Sequence, residues 1–151
     1  MLIERAAAAA VELPEGAIGA EARMVAHGIG DPPQGSEARA MVRGSALLPP
    51  SPVHLRAARD ATGGIEIGWT RRSRAGWVWA SGSDTPLGEE LEAYRLELSG
   101  DGFVRSVDVE LPRYSYSAAE QAADGLVGPL LISVIQRGTA GQSRPAVITF
   151  Y

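Results

Sequence analysis

From Val53 onward, apolar and polar residues alternate in short runs separated by Gly, Asp, Pro and Ser, the period of two expected of strands with one buried face. The clearest run is Ile65-Glu66-Ile67-Gly68-Trp69-Thr70-Arg71, which sets Ile65, Ile67 and Trp69 on one side and Glu66 and Thr70 on the other. Before it, Val53-His54-Leu55-Arg56-Ala57 is expected to turn Val53, Leu55 and Ala57 inward and His54 outward, and Asp60-Ala61-Thr62-Gly63-Gly64 supplies the intervening turn. Residues 93–98 repeat the alternation and add Tyr94 and Leu96 to the predicted core. Ser99-Gly100-Asp101-Gly102 then turns the chain into residues 103–109, a hairpin signature. Further strands are predicted at residues 114–116, 130–135 and 146–151. Between them, Ser117 to Gly125 reads as a helical turn, with Ser117 as N-cap, Glu120 three residues on and Gly125 closing it.

The segment before residue 49 has a different pattern. Residues 17–25 and 37–42 are short, partly alternating stretches separated by the loop-forming run His27 to Gly35, and they predict two short strands joined by a long turn. Leu47-Leu48-Pro49-Pro50-Ser51-Pro52 then denies the backbone its donors and imposes an extended course, marking a boundary between residues 1–48 and 49–151. Residues 1–48 hold too little apolar surface to fold alone, and they read as a partial β-region, the end of a preceding domain.

Seven strands in about 100 residues, with a Trp on the second, fit an all-β, immunoglobulin-like sandwich. The run Pro52…Leu55, Ile65-Glu66-Ile67-Gly68-Trp69, Ala93-Tyr94-Arg95-Leu96, Ile132-Ser133-Val134 and Gly141-Gln142-Ser143-Arg144-Pro145 resembles a fibronectin type III module. In that family a second-strand Trp and a third-strand Tyr pack in the core and a Gly-x-Ser-x-Pro segment leads into the last strand. Trp69, Tyr94 and Gly141/Ser143/Pro145 stand at those places. The family's Tyr at the start of the sixth strand is replaced by Gly128-Pro129-Leu130, so the resemblance assigns no tyrosine-corner hydrogen bond.

A narrower resemblance rests on four motifs in order: Leu48-Pro49-Pro50-Ser51-Pro52-Val53-His54-Leu55-Arg56, Trp69-Thr70-Arg71-Arg72-Ser73-Arg74, Pro86-Leu87-Gly88-Glu89-Glu90-Leu91-Glu92-Ala93-Tyr94 and Ala118-Ala119-Glu120-Gln121-Ala122-Ala123-Asp124. They resemble the C-terminal region of the baseplate, or tail-tip, host-specificity protein of gene transfer agents and siphophages. That resemblance implies a structural component of a phage-like particle, part of a trimeric tail hub, contacting other baseplate and tail proteins and a host surface glycan or protein during DNA delivery. It also implies that this chain is a C-terminal piece of something larger, since the family's upstream TIM-barrel-like and hub domains are missing. Such a protein would be made in the bacterial cytoplasm without a signal peptide and would reside in the virion.

Composition narrows the chemistry. Among 151 residues there is no Cys, which removes disulfides and thiolate metal sites, and all 14 basic residues are Arg, which removes Schiff-base lysines and a phosphate-loop lysine. The net charge of −4 disfavours non-specific binding to nucleic acid through a basic field, and no sequence-specific nucleic-acid motif is present. Glu4 beside Arg5 and five weakly apolar alanines do not make an export signal, and the longest apolar stretch, residues 125–135, is too short to span a bilayer.

Candidate chemistry gathers in one loop. Arg71, Arg72 and Arg74, followed by Trp77 and Trp79, form a candidate interaction surface, because guanidinium forks match anions and indole faces stack on sugars. The competing interpretation is that the arginines pair with the acidic segment Asp84, Glu89, Glu90 and Glu92, carboxylates that could alternatively ligate Ca²⁺ or act as an acid and base pair. His27 and His54 are isolated, which argues against zinc. No cofactor motif and no nucleophile elbow appears, so the sequence predicts no enzyme, no cofactor and no metal. The alternative function is a carbohydrate-binding accessory module of a secreted glycoside hydrolase, with Trp77 and Trp79 as its stacking platform.

Overall fold

A computed structural model describes residues 13–30, 32–74, 89 and 91–151. It divides into two compact units, Met1–Ser45 and Ala46–Tyr151.

In the first unit a 3-10 turn at Glu15–Ala17 precedes an antiparallel ribbon of β1 (Glu21–Ala26) and β2 (Ser36–Met41). The register sorts its side chains by chemistry. Ala22, Met24 and Ala26 face the same way as Ala40, Ala38 and Ser36, while all the charged residues, Glu21, Arg23, Arg39 and Glu37, lie on the other face together with Val25 and Met41. There Glu37 accepts from Arg23 at 2.6 Å and from Arg39 at 2.6 Å. No residue of either strand is fully buried. Among the described residues, cross-strand ion pairs and the ladder therefore hold this ribbon together.

The second unit is a β-sandwich. One sheet has the order β3-β4-β7, from β3 (Val53–Arg59), β4 (Ile65–Thr70) and β7 (Arg113–Tyr116). The other has the order β10-β8-β5-β6, from β5 (Ala93–Gly100), β6 (Phe103–Val109), β8 (Leu130–Gly138) and β10 (Ala146–Phe150), with the short β9 (Gly141–Gln142) also pairing β8. The predicted alternation carries directly into packing: Ile65, Ile67, Trp69, Tyr94 and Leu96 are all buried, joined by Leu98, Tyr116, Leu130, Ile132 and Val134. Gln136 continues the inward row of β8, and among the described residues its buried side-chain amide has no hydrogen-bond partner on either atom.

Val53 is half-buried, as are Leu55 and Ala57, but it stands opposite Thr70 and is not among the side chains packed on the core, whereas Leu55 and Ala57 are. The cause is an irregularity between Val53 and Arg56: His54 adopts a left-handed backbone, φ 55°, and inserts an extra residue into β3. The bulge re-phases the strand, so Leu55 and Ala57 stay inward while Arg56 emerges opposite Gly68. His is tolerated in this region better than a β-branched residue. A His54→Val variant is therefore expected to lose about 1–2 kcal/mol and His54→Gly to lose nothing or gain slightly, read by chemical denaturation.

The crossover from β7 to β8 contains α1 (Ala118–Asp124). Ser117 accepts from the Glu120 amide, the Glu120 carboxylate accepts from the Ser117 amide, and Gly125 closes the helix in a left-handed conformation, φ 66°. The Gly-x-Ser segment also has a local explanation. A Cβ on Gly141, at φ 143°, would press on Leu48, and the Ser143 hydroxyl accepts from the Gln136 backbone N–H at 2.9 Å while donating to the Arg144 carbonyl at 2.8 Å.

Candidate interaction surface

β4 ends at Thr70, and the arginine cluster begins on the next residue. Arg72 is exposed, but its neighbours are committed to the protein. The Arg74 Nε donates to Glu89 Oε1 at 2.7 Å, and the other carboxylate oxygen of Glu89 accepts the Thr139 amide at 3.1 Å. Only 1% of the Glu89 side chain is exposed. Glu89 lies so close over Gly138 that any Cβ there would collide with its carboxylate. One buried acid thus ties the loop after β4 to the end of β8. Among the acidic candidates, Glu89 is an ion-pair partner, and Glu92 accepts the Tyr94 hydroxyl at 2.7 Å. Trp77, Trp79, Asp84 and Glu90 lie outside the described residues.

Arg71 sits where its charge acts on Tyr94. Burial pushes that hydroxyl well above the usual tyrosine range and the bond it donates to Glu92 adds to the shift, while the Trp69 indole N–H and the Arg71 charge pull it partly back. Among the described residues the Trp69 N–H has no acceptor at hydrogen-bond geometry. Trp69 and Tyr94 meet edge to face, with centroids 5.1 Å apart and planes at 76°. Chemically, this end of the sandwich is a fixed support from which Arg72 projects.

A second charged group, which the sequence pattern did not reveal, lies on the outward face of the larger sheet. Asp108 accepts from Arg95 at 2.9 Å and from Arg137 at 2.9 Å, and Arg95 is the largest cause holding that carboxyl below the usual range. The signal was available only through register, since Arg95 is paired with Asp108 on β6. Arg137 also borders a shallow hollow of about 300 Å³ beside Leu91, Ala93, Gly138 and Thr139. Among the described residues no group of three or more His, Asp or Glu could hold a metal ion, and no helix is long and apolar enough to cross a membrane.

The geometry separates the arginines by role. Removing Arg74 strands a buried carboxylate, and Arg74→Ala is expected to destabilise the fold by about 2–3 kcal/mol, less than for a fully buried pair because Arg74 is partly exposed. Arg72→Ala is expected to change stability by less than about 0.5 kcal/mol. Urea denaturation of the two variants measures the difference.

No protein-family profile matches the sequence, and none of the curated proteins is significantly similar to it. Among solved structures, the extracellular region of rat CD45, domains d3–d4, is similar over 99% of this chain and 72% of its own, at 10% identity and a TM-score of 0.50. The fibronectin type III domain of human fibronectin type III domain containing protein 3 covers 68% of this chain and 84% of itself, at 18% identity and a TM-score of 0.44. The FN3 domain of human collagen XX covers 67% and 91%, at 17% identity and a TM-score of 0.42. At such identities the likeness is one of fold. With its antiparallel strands in two sheets packed on one shared core, the chain is an all-β protein whose larger unit is a β-sandwich.

Proposed function

We propose that this chain is a non-catalytic structural and interaction module of a phage-like tail tip or baseplate, acting in assembly, in host-surface contact, or in both. Two things support the reading: the four ordered sequence motifs that resemble the tail-tip host-specificity proteins, and the Arg74–Glu89 anchor that holds one end of the exposed arginine cluster. The anchor carries it, because a contact surface on a rigid sheet pair needs its loop held at the root and open at the tip. On this reading Arg72 meets an anionic group on a neighbouring baseplate chain or the host surface, Arg71 and Arg74 position the loop, and the module works as part of a homotrimeric hub in the virion.

The test uses tailed particles made with the complete protein. The chain is expected to co-sediment with them, and Arg72→Glu to reduce host attachment or particle yield while leaving the melting temperature unchanged. Normal attachment and yield would show that the loop is only surface. Failure to co-sediment, together with retention on a glycan array, would replace the tail-tip reading with the carbohydrate-binding one.

A further inference from the structure

The outward face of the three-stranded sheet holds an arrangement independent of the tail-tip reading. Arg56 on β3 and Arg113 on β7 both pair in register with Gly68 on the central strand. Two guanidinium-bearing side chains therefore straddle a residue with no side chain, their backbones separated by two strand spacings, roughly 10 Å. Arg56 leans across the gap, its ζ-carbon 3.7 Å from where a Cβ on Gly68 would stand. The result is a cleft of about 260 Å³ lined by Arg56, Ala58, Glu66, Ile67, Gly68 and Arg113.

These two arginines differ from most of their kind in this chain. Arg23, Arg39, Arg74, Arg95, Arg105 and Arg137 each bind a carboxylate. Arg59 lies over the Phe150 ring. Among the described residues Arg56 and Arg113 have neither an ion pair nor a side-chain hydrogen bond, although the chain has 18 acidic residues against 14 basic ones. Both are exposed, and both are rooted in a rigid ladder.

We infer that this cleft is a carboxylate-binding site that receives an Asp or Glu side chain of a partner protein. Three features select that occupant. The volume suits one side chain better than a ligand of several rings. The planar forks of two arginines match a carboxylate. Glu66, on the same outward face two residues from Gly68, leaves the cleft with a net charge near +1, which a single carboxylate neutralises.

Titrating the whole chain with the blocked peptide acetyl-(Glu-Gly)3-amide, followed by amide and arginine Nε–H NMR shifts, tests the site. Shifts are expected to centre on Arg56, Gly68 and Arg113. Loss of either guanidinium, in Arg56→Ser or Arg113→Ser, is expected to weaken binding by about tenfold or more. Gly68→Leu should fill the cleft and abolish binding without unfolding, since a Cβ there meets Arg56 only at ordinary contact distance and Gly68 has no left-handed backbone to preserve. Glu66→Gln should strengthen binding. Shifts that persist in Gly68→Leu, an absence of shifts at Gly68, or phosphate binding as tight as the peptide's would each overturn the inference.

Discussion

Trp69→Ala is expected to lower the stability of the sandwich by about 3–5 kcal/mol. Trp69 is 4% exposed and fills the space between the sheets, edge-on to Tyr94, so truncation leaves a cavity bounded by two rigid ladders that cannot close over it. For a domain of this size that is a large part of the total stability and corresponds to a fall of roughly 15–30 °C in the melting temperature. Trp69→Phe separates packing from polarity. The smaller ring loses contacts, but the change also removes a buried N–H that has no acceptor among the described residues and whose desolvation costs about 1–3 kcal/mol. The Phe variant is therefore expected to lie within about 1 kcal/mol of the parent. Chemical denaturation of both variants decides the matter: an unchanged midpoint for Trp69→Ala would remove Trp69 from the core, and a large loss for Trp69→Phe would show that the indole N–H is satisfied in solution.

Why Trp69 could be placed from the sequence, while the arginines could not, follows from the distance over which each signal acts. A period of two is local, and Ile65-Glu66-Ile67-Gly68-Trp69 shows its buried face within five residues. The capping box of α1 is equally local, since Ser117, Glu120 and Gly125 act on their own helix ends. His54 broke the local rule. One left-handed residue set Val53 opposite Thr70, and nothing in the pattern Val-His-Leu-Arg-Ala marks the bulge. Charge partners are further still from local reading. Glu89 reaches Arg74 across 15 positions and Thr139 across 50, and the opposition of Arg56 and Arg113 across Gly68 exists only once three strands are in register. The sequence therefore marked Arg71, Arg72 and Arg74 as one cluster because they are contiguous. The fold splits them into an exposed side chain at Arg72 and an anchor at Arg74.

The same distance effect hides the contact that closes one edge of the sandwich, where Tyr116→Ala is expected to lose about 3–5 kcal/mol and Tyr116→Phe about 1–2 kcal/mol. β6 and β7 are edge strands of opposite sheets. Arg105 of β6 makes a two-pronged contact with Asp124 of α1, at 2.6 and 2.9 Å, and the same carboxylate accepts the hydroxyl of the fully buried Tyr116 of β7 at 2.7 Å. The Arg105 guanidinium also stands over the Tyr116 ring, 5.8 Å from its centroid. Next to them, Tyr114 donates to Glu120 at 2.8 Å. One helical turn thus joins both sheets through two carboxylates, in the crossover where no tyrosine corner was assigned. The ionisation of these groups gives the fold two pH limits. Arg105 first and Tyr116 second hold Asp124 below its ordinary 3.8, and the Ser117 hydroxyl first and Tyr114 second hold Glu120 below 4.5. Folded pKa values below the unfolded ones mean that this stability is present above about pH 4.5 and is lost as the pH falls through the folded values. The tyrosines act in the opposite direction: burial, followed by the bond to Glu120, pushes Tyr114 up to about 12, and burial with the bond to Asp124 raises Tyr116 as well. Their contribution is intact below pH 10 and is lost as the pH rises through the folded values. A plot of melting temperature against pH should therefore be flat in the middle and fall at both ends. In Tyr116→Phe, Asp124 loses one of its two donors and one raised tyrosine disappears, so both limbs should become shallower around a lower plateau. Limbs identical to the parent's would show that the hydroxyl does not bind Asp124 in solution.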